Sequence, residues 1–241
     1  MYSKDESATS TIGNSMTLTA NALVQDTQSQ HTESETDSRI QTFKYARLQP
    51  GSHLARLDRL HRMAAANLSM EGDVTPEKAL QAVQDPVFDD HDHTHIISIE
   101  HQSGRLAGTF SFTLDGVDGM PVSRHFEDDI AQLRQQHRLL NAWRFSMSPL
   151  FHSALLRKQS FEYFWAQAGT FNVDTVVLYF NERLLNFYKR KMVGEVVASK
   201  TISFDGKAQL PVLLYACPLE ENLAKQPIYD GGVSNEFSVV M

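Results

Sequence analysis

An arginine inside a strand needs a carboxylate, and that requirement singles out the first candidate chemistry. Arg144 falls in Leu140-Asn-Ala-Trp-Arg-Phe-Ser-Met147, which reads as a largely buried strand. A buried guanidinium without a counter-charge is costly. Asp89 or Asp92, in the acidic run Asp85-Pro-Val-Phe-Asp-Asp-His-Asp, can supply the partner. Such a pair either shapes a pocket or holds a sheet together. His91, His93 and His95 alternate, so on a strand they would share one face with room for a metal. At a loop–strand junction the plainer reading is solvated histidines, and no metal is expected. Arg56, Arg59 and Arg62 form a basic stripe that is either a solvated helix face or a surface for an acidic partner. Cys217 sits inside an apolar run and reads as a small buried hydrophobe. The chain has no Gly-x-Ser-x-Gly elbow and no Gly-rich dinucleotide fingerprint, which removes covalent hydrolase and nicotinamide chemistry.

The elements that must position these groups centre on Asn172 to Met192. Thr175-Val-Val-Leu-Tyr-Phe180 is apolar throughout, as in a strand buried on both faces. Asn181 follows as a helix cap. Leu184, Leu185, Phe187 and Tyr188 then recur at helical spacing, and Lys189, Arg190 and Lys191 suit the negative end of the helix dipole. A second apolar run, Leu210 to Cys217, can lie beside the first.

Upstream, residues 1–40 are polar, nearly free of aromatic residues and without period, which predicts disorder. The folded domain is expected over 41–219 and a loose tail over 220–241. Thr42 to Leu48 alternates as a strand. Ser52 can cap a helix to about Leu68, and Thr75-Pro76-Glu77 opens a second helix to about Val83. Ile96 to Glu100 and Arg105 to Leu114 make a hairpin across Ser103-Gly104. A mostly polar helix over Ser123 to His137 follows. Ser148-Pro149 can start the helix that carries Phe161, Phe164 and Trp165. Two last strands, near Glu195 to Ser203 and Leu210 to Pro218, join at Asp205-Gly206. A hairpin followed by β-α units predicts a mixed sheet with helices on both faces, and a ligand where neighbouring strands part.

The 241 residues carry a net charge of −7, which argues against nucleic acid. A single cysteine fits a reducing, cytoplasmic setting. No apolar run is long enough to span a membrane, and no secretory signal is expected.

The element order resembles the GNAT superfamily of acyl-transferring enzymes, and Asn181-Glu-Arg-Leu-Leu-Asn-Phe-Tyr188 resembles its strand-then-helix motif. Gly108-Thr109, Met120-Pro121, Leu133-Arg134, Arg144 and the Asp89-x-x-Asp92 spacing are similar to one branch. That branch holds acyl-homoserine-lactone synthases and long-chain N-acyl amino acid synthases. The resemblance covers about residues 42 to 219. It implies a mostly antiparallel sheet of about seven strands, splayed between the fourth and fifth. It also implies transfer of an acyl group from a thioester to an amine, with no permanently bound cofactor. The donor would be acyl-phosphopantetheine on acyl carrier protein, or acyl-coenzyme A. The arm would enter the splay, with Phe145, Ser146 and Met147 on one side and Phe180 and Asn181 on the other. Asp89, Asp92 and Ser111 would complete the substrate site beside Arg144. Tyr188, or a water held by Asn141, would manage protons.

Two positions depart from the branch: Asn141 stands where Glu is usual, and Ser111 where Arg is usual. A neutral amide cannot take a proton as a carboxylate can. The superfamily's Gly-rich phosphate loop is also absent after Met147. Two further functions therefore stay open: a module that binds an acyl chain or carrier protein without turnover, and a coenzyme-A-dependent acetyltransferase.

Overall fold

Apolar residues of both parities along one strand require cover on both of its faces, and the fold is built to supply it. The computed structural model describes residues 42–48, 51, 54–72, 74–151, 153–203 and 209–226. The expectations for residues 1–40, Ser52, the Asp205-Gly206 turn and residues 227–241 lie outside them. Seven strands are formed: β1 (Phe43–Leu48), β2 (Thr94–His101), β3 (Leu106–Leu114), β4 (Leu139–Met147), β5 (Thr175–Asn181), β6 (Glu195–Ser203) and β7 (Gln209–Pro218). They make one sheet in the order β1-β2-β3-β4-β5-β7-β6. Only β4 and β5 pair in parallel; every other neighbour is antiparallel.

Alternate residues of the two central strands separate the core into two layers. Val176, Leu178 and Phe180 of β5 and Leu213, Tyr215 and Cys217 of β7 face one layer. They meet α4 (Ala154–Ala168) through Phe161, Phe164 and Trp165, and α5 (Leu185–Lys191) through Tyr188. Val177, Val212, Leu214 and Ala216 face the other layer, under Phe126 and Ile130 of α3 (Ser123–Leu133). Two further helices, α1 (Leu54–Gly72) and α2 (Pro76–Val83), add smaller clusters around Leu60 and Ala79. Thr75 caps α2, its hydroxyl accepting from the Lys78 amide at 3.4 Å.

Several boundaries differ from the sequence expectation. The helix expected from Ser148-Pro149 starts later: Pro149–Phe151 forms a 3₁₀ turn and Ser153 caps α4, accepting from the Leu156 amide at 3.1 Å. The helix expected to reach His137 ends at Leu133, after a non-helical kink at Phe126. The tail expected from Glu220 begins instead as α6 (Leu219–Lys225), with Glu220 and Glu221 in its first turn and Lys225 in its last.

Gly194 shows how tightly the β6–β7 end is packed. A Cβ there would lie 2.5 Å from Tyr215 Cε1, 2.6 Å from the Ala216 carbonyl oxygen and 2.9 Å from Cys217 Sγ. The carbonyl cannot swing aside, so Gly194→Ala is expected to destabilise by about 2–3 kcal/mol. Thermal denaturation measures it; an unchanged melting curve would contradict the packing.

Candidate active site

The site begins with a misfit in the sheet. β4 and β5 pair only at Leu139–Thr175, Leu140–Val176 and Asn141–Val177. Beyond that point each strand keeps its outer partner: Ala142, Trp143, Ser146 and Met147 stay with β3, and Leu178 to Asn181 stay with β7. The edges facing each other are therefore left unpaired. The cause is a β-bulge. The β3–β4 register shifts between Thr109 and Ser111, and opposite it Arg144 takes a left-handed conformation with φ 54°. Bulges bend a strand and raise its twist, which turns β4 away from a straight β5. A left-handed backbone at a residue with a Cβ costs about 1–2 kcal/mol and persists only where the surroundings impose it.

The surroundings here are ionic. The Arg144 side chain is 3% exposed, and its Nη2 donates to Asp89 Oδ1. Its guanidinium lies over the Trp143 ring, 3.8 Å from the centroid. Asp89 Oδ2 accepts from the Asp85 amide at 3.0 Å and sits 3.1 Å from His61 Nε2 on α1. Burial opposes ionisation of Asp89, but the His61 contact and the Arg144 charge outweigh it and hold the carboxyl below its ordinary range. For Arg144, burial pushes the guanidinium down and Asp89 acts against it; an arginine stays cationic regardless. Asp85 pairs outward, with Arg124 Nη1 at 2.8 Å. Two buried atoms of Arg144, Nε and Nη1, and Ser111 Oγ have no hydrogen-bond partner among the described residues.

Asn141 stands where the strands part. Its Oδ1 accepts from the Val122 amide at 3.1 Å. Its Nδ2 donates to the Ala142 carbonyl on β4 and the Val177 carbonyl on β5, each at 3.1 Å. With both amide hydrogens engaged and the residue 0% exposed, the second lone pair of Oδ1 is all that Asn141 keeps for a water.

The remaining expected residues divide. Phe145 stacks on Phe110 at 5.9 Å and meets Phe161 at 5.0 Å. Ser146 Oγ and the Met147 carbonyl both accept from Asn67 of α1. Phe180 packs on Tyr188 with centroids 4.2 Å apart, and Asn181 Oδ1 accepts from the Arg183 amide at 3.0 Å. All five lie on the stretches of β4 and β5 beyond their last mutual pair. Asp92 does not join them: it is exposed in the turn before β2, while Asp89 pairs with Arg144.

The alternating histidines are not one face. β2 starts at Thr94, so His91 and His93 lie in a turn while His95 is on the strand. His91 Nε2 contacts Asp118 at 3.0 Å; His95 packs edge-on to Phe171 at 4.7 Å, and burial drives its pKa down to about 4. Among the described residues no group of three His, Cys, Asp or Glu could hold a metal. Arg56 pairs with Glu100 and Arg62 with Asp58, which neutralises two members of the basic stripe. Cys217 is buried, its thiol pushed up by burial, and donates to Met192 Sδ at 3.4 Å. Sequence reasoning missed His61 and Asp85. His61 had a visible signal, a lone polar residue on the inner stripe of α1.

A seven-stranded, mostly antiparallel sheet opened between β4 and β5, with helices on both faces, is the GNAT fold. Among solved structures, FeeM, an N-acyl amino acid synthase from uncultured soil microbes, superposes with a TM-score of 0.58 at 16% identity, over 75% of this chain and 93% of that one. Escherichia coli ElaA superposes with a TM-score of 0.51 at 13% identity, over 73% and 99%. At these identities the likeness concerns the fold alone. The family described as N-acyl amino acid synthase FeeM matches residues 63–218, more than half of the chain, and the chain belongs to it. No curated protein matches in sequence. Among the described residues, no helix is long and apolar enough to cross a membrane.

Proposed function

We propose that the protein transfers a fatty acyl group from a pantetheine thioester, carried on acyl carrier protein, to the amine of an amino acid or related small molecule. The observation that carries this is the parting of β4 and β5 after Asn141 and Val177. The unpaired edges offer backbone N–H and C=O groups to the amides of the arm. Phe145, Met147 and Phe180 provide apolar surface for the acyl chain. The amine attacks the thioester carbonyl, a C–N bond forms, the C–S bond breaks, and the amine's surplus proton leaves to water. Tyr188, on the helix beside Phe180, gives its phenolic proton to the departing thiolate and takes one back from water.

An acceptor with a carboxylate is favoured by Arg144 Nε and Nη1 and Ser111 Oγ, buried donors that a polar ligand would engage. A carrier protein is favoured over coenzyme A by the turn after β4. Among its described residues, amides are used internally: Leu150 N donates to Ser148 Oγ, Phe151 N to Ser148 O, and Ser153 N to Phe151 O. They are not presented to a pyrophosphate as a phosphate-binding loop requires.

The test is turnover with purified protein, the standard amino acids, and dodecanoyl thioesters of acyl carrier protein and of coenzyme A. Mass spectrometry is expected to find an N-dodecanoyl amino acid, formed faster from the carrier protein. Thioester binding without product would support the binding-module reading. Product from acetyl-coenzyme A, assayed in parallel, with none from either dodecanoyl thioester would support the acetyltransferase reading.

A further inference from the structure

We infer that Asn141 is a positioning residue whose carboxamide clips the diverging strands together and so fixes where the thioester gap begins. The inference rests on the reading of that gap as the donor site. Asn141 and Val177 are the last paired residues of β4 and β5. At that point the Asn141 amide donates one hydrogen to a carbonyl of each strand, Ala142 on β4 and Val177 on β5. Its oxygen takes the Val122 amide at the entry to α3. One fully buried side chain thus joins both lips of the opening to the helix layer behind them.

The chemistry demands an amide at this position. A carboxylate of the same shape keeps the Val122 bond but presents oxygen to two carbonyl oxygens, with no hydrogen between them. A hydrocarbon leaves two buried carbonyls and one buried N–H to find other partners. Only asparagine accepts and donates twice within this reach. Asn141 touches neither thioester nor amine. It acts by holding the edges at the separation the arm requires, and an arm that pairs with strand edges is sensitive to shifts well below an ångström.

The test compares Asn141→Asp with the natural protein, using S-dodecyl-pantetheine, a thioether that cannot transfer its chain. The natural protein is expected to bind the probe. Asn141→Asp is expected to bind about tenfold more weakly near pH 8, the loss of two modest hydrogen bonds. Burial raises a carboxyl's pKa, so lowering the pH to about 6 should protonate it, restore one donation and recover binding to within about threefold. In turnover, KM for the thioester should rise while KM for the amine and kcat stay within about threefold. If Asn141→Asp does not fold, Asn141→Ser, uncharged and able to donate once, should show a weaker form of the same KM effect. Probe binding by Asn141→Asp equal to the natural protein near pH 8 would overturn the clip. So would loss of kcat with the thioester KM intact. Failure of the natural protein to bind the probe would instead overturn the donor-site reading on which the clip rests.

Discussion

Asp89→Asn is expected to lower the melting temperature by about 6–20 °C, the equivalent of about 3–5 kcal/mol for a domain of this size. Among the described residues, this carboxylate is the one that pairs with Arg144, whose side chain is 3% exposed. Removing it leaves a guanidinium buried and uncompensated, which is the expensive way to break such a pair. Asp89→Asn with Arg144→Met should recover most of the loss, because a hydrophobe replaces the orphaned charge. A double variant as unstable as the single one would mean that the pair's charge is not what holds the bulge. The pH dependence gives a second readout. Asp89 has a depressed pKa in the folded state. Its contribution is therefore present above its unfolded value of about 3.9 and fades as pH falls through the folded value. His95 acts earlier. Held neutral by burial to about 4, it takes up a proton on unfolding below about pH 6.5, so stability falls as pH drops through that window. Asp89→Asn should shrink the lower limb of the acid profile and leave the upper one.

Tyr188→Phe is expected to reduce kcat about 100-fold with the thioester KM little changed, the lower end of what a positioned general acid contributes. The ring packs against Phe180 and Phe187 and is 7% exposed, so phenylalanine keeps the shape and the packing. The substitution takes away the hydroxyl, the group proposed to protonate the leaving sulfur. A thioester whose thiol already has a low pKa needs less help. With a thiophenol ester as donor, the penalty should shrink to about tenfold or less. An equal penalty with both donors would assign Tyr188 to packing.

Much of this was legible in the chain because the strands that frame the gap carry unmistakable patterns. Val176 to Phe180 and Val212 to Cys217 are apolar at every position, and only strands covered on both faces tolerate that. The need of Arg144 for a carboxylate was equally plain from burial energetics. What sequence could not reveal was the bulge, because no glycine marks it. Arg144 is driven to positive φ by its ion pair, a tertiary contact with no local signature. The same blindness made Asp92 look equivalent to Asp89, since spacing in a turn does not say which carboxylate faces inward. Asn141 was visible as a departure from the branch's glutamate. Its bonds to Val122 and Val177 depend on register and were not. Helix α6 did have a signal, acidic residues after Pro218 and a lysine at the end, outweighed by the polar composition that follows.

The central claim is that the unpaired edges of β4 and β5 receive the thioester arm. Residue-resolved amide hydrogen exchange with and without S-dodecyl-pantetheine tests it most directly. Protection gained by amides within Ala142 to Met147 and Leu178 to Asn181, with β1 and β6 unchanged, is the predicted result. Protection appearing elsewhere, with those two edges exchanging as before, would contradict it.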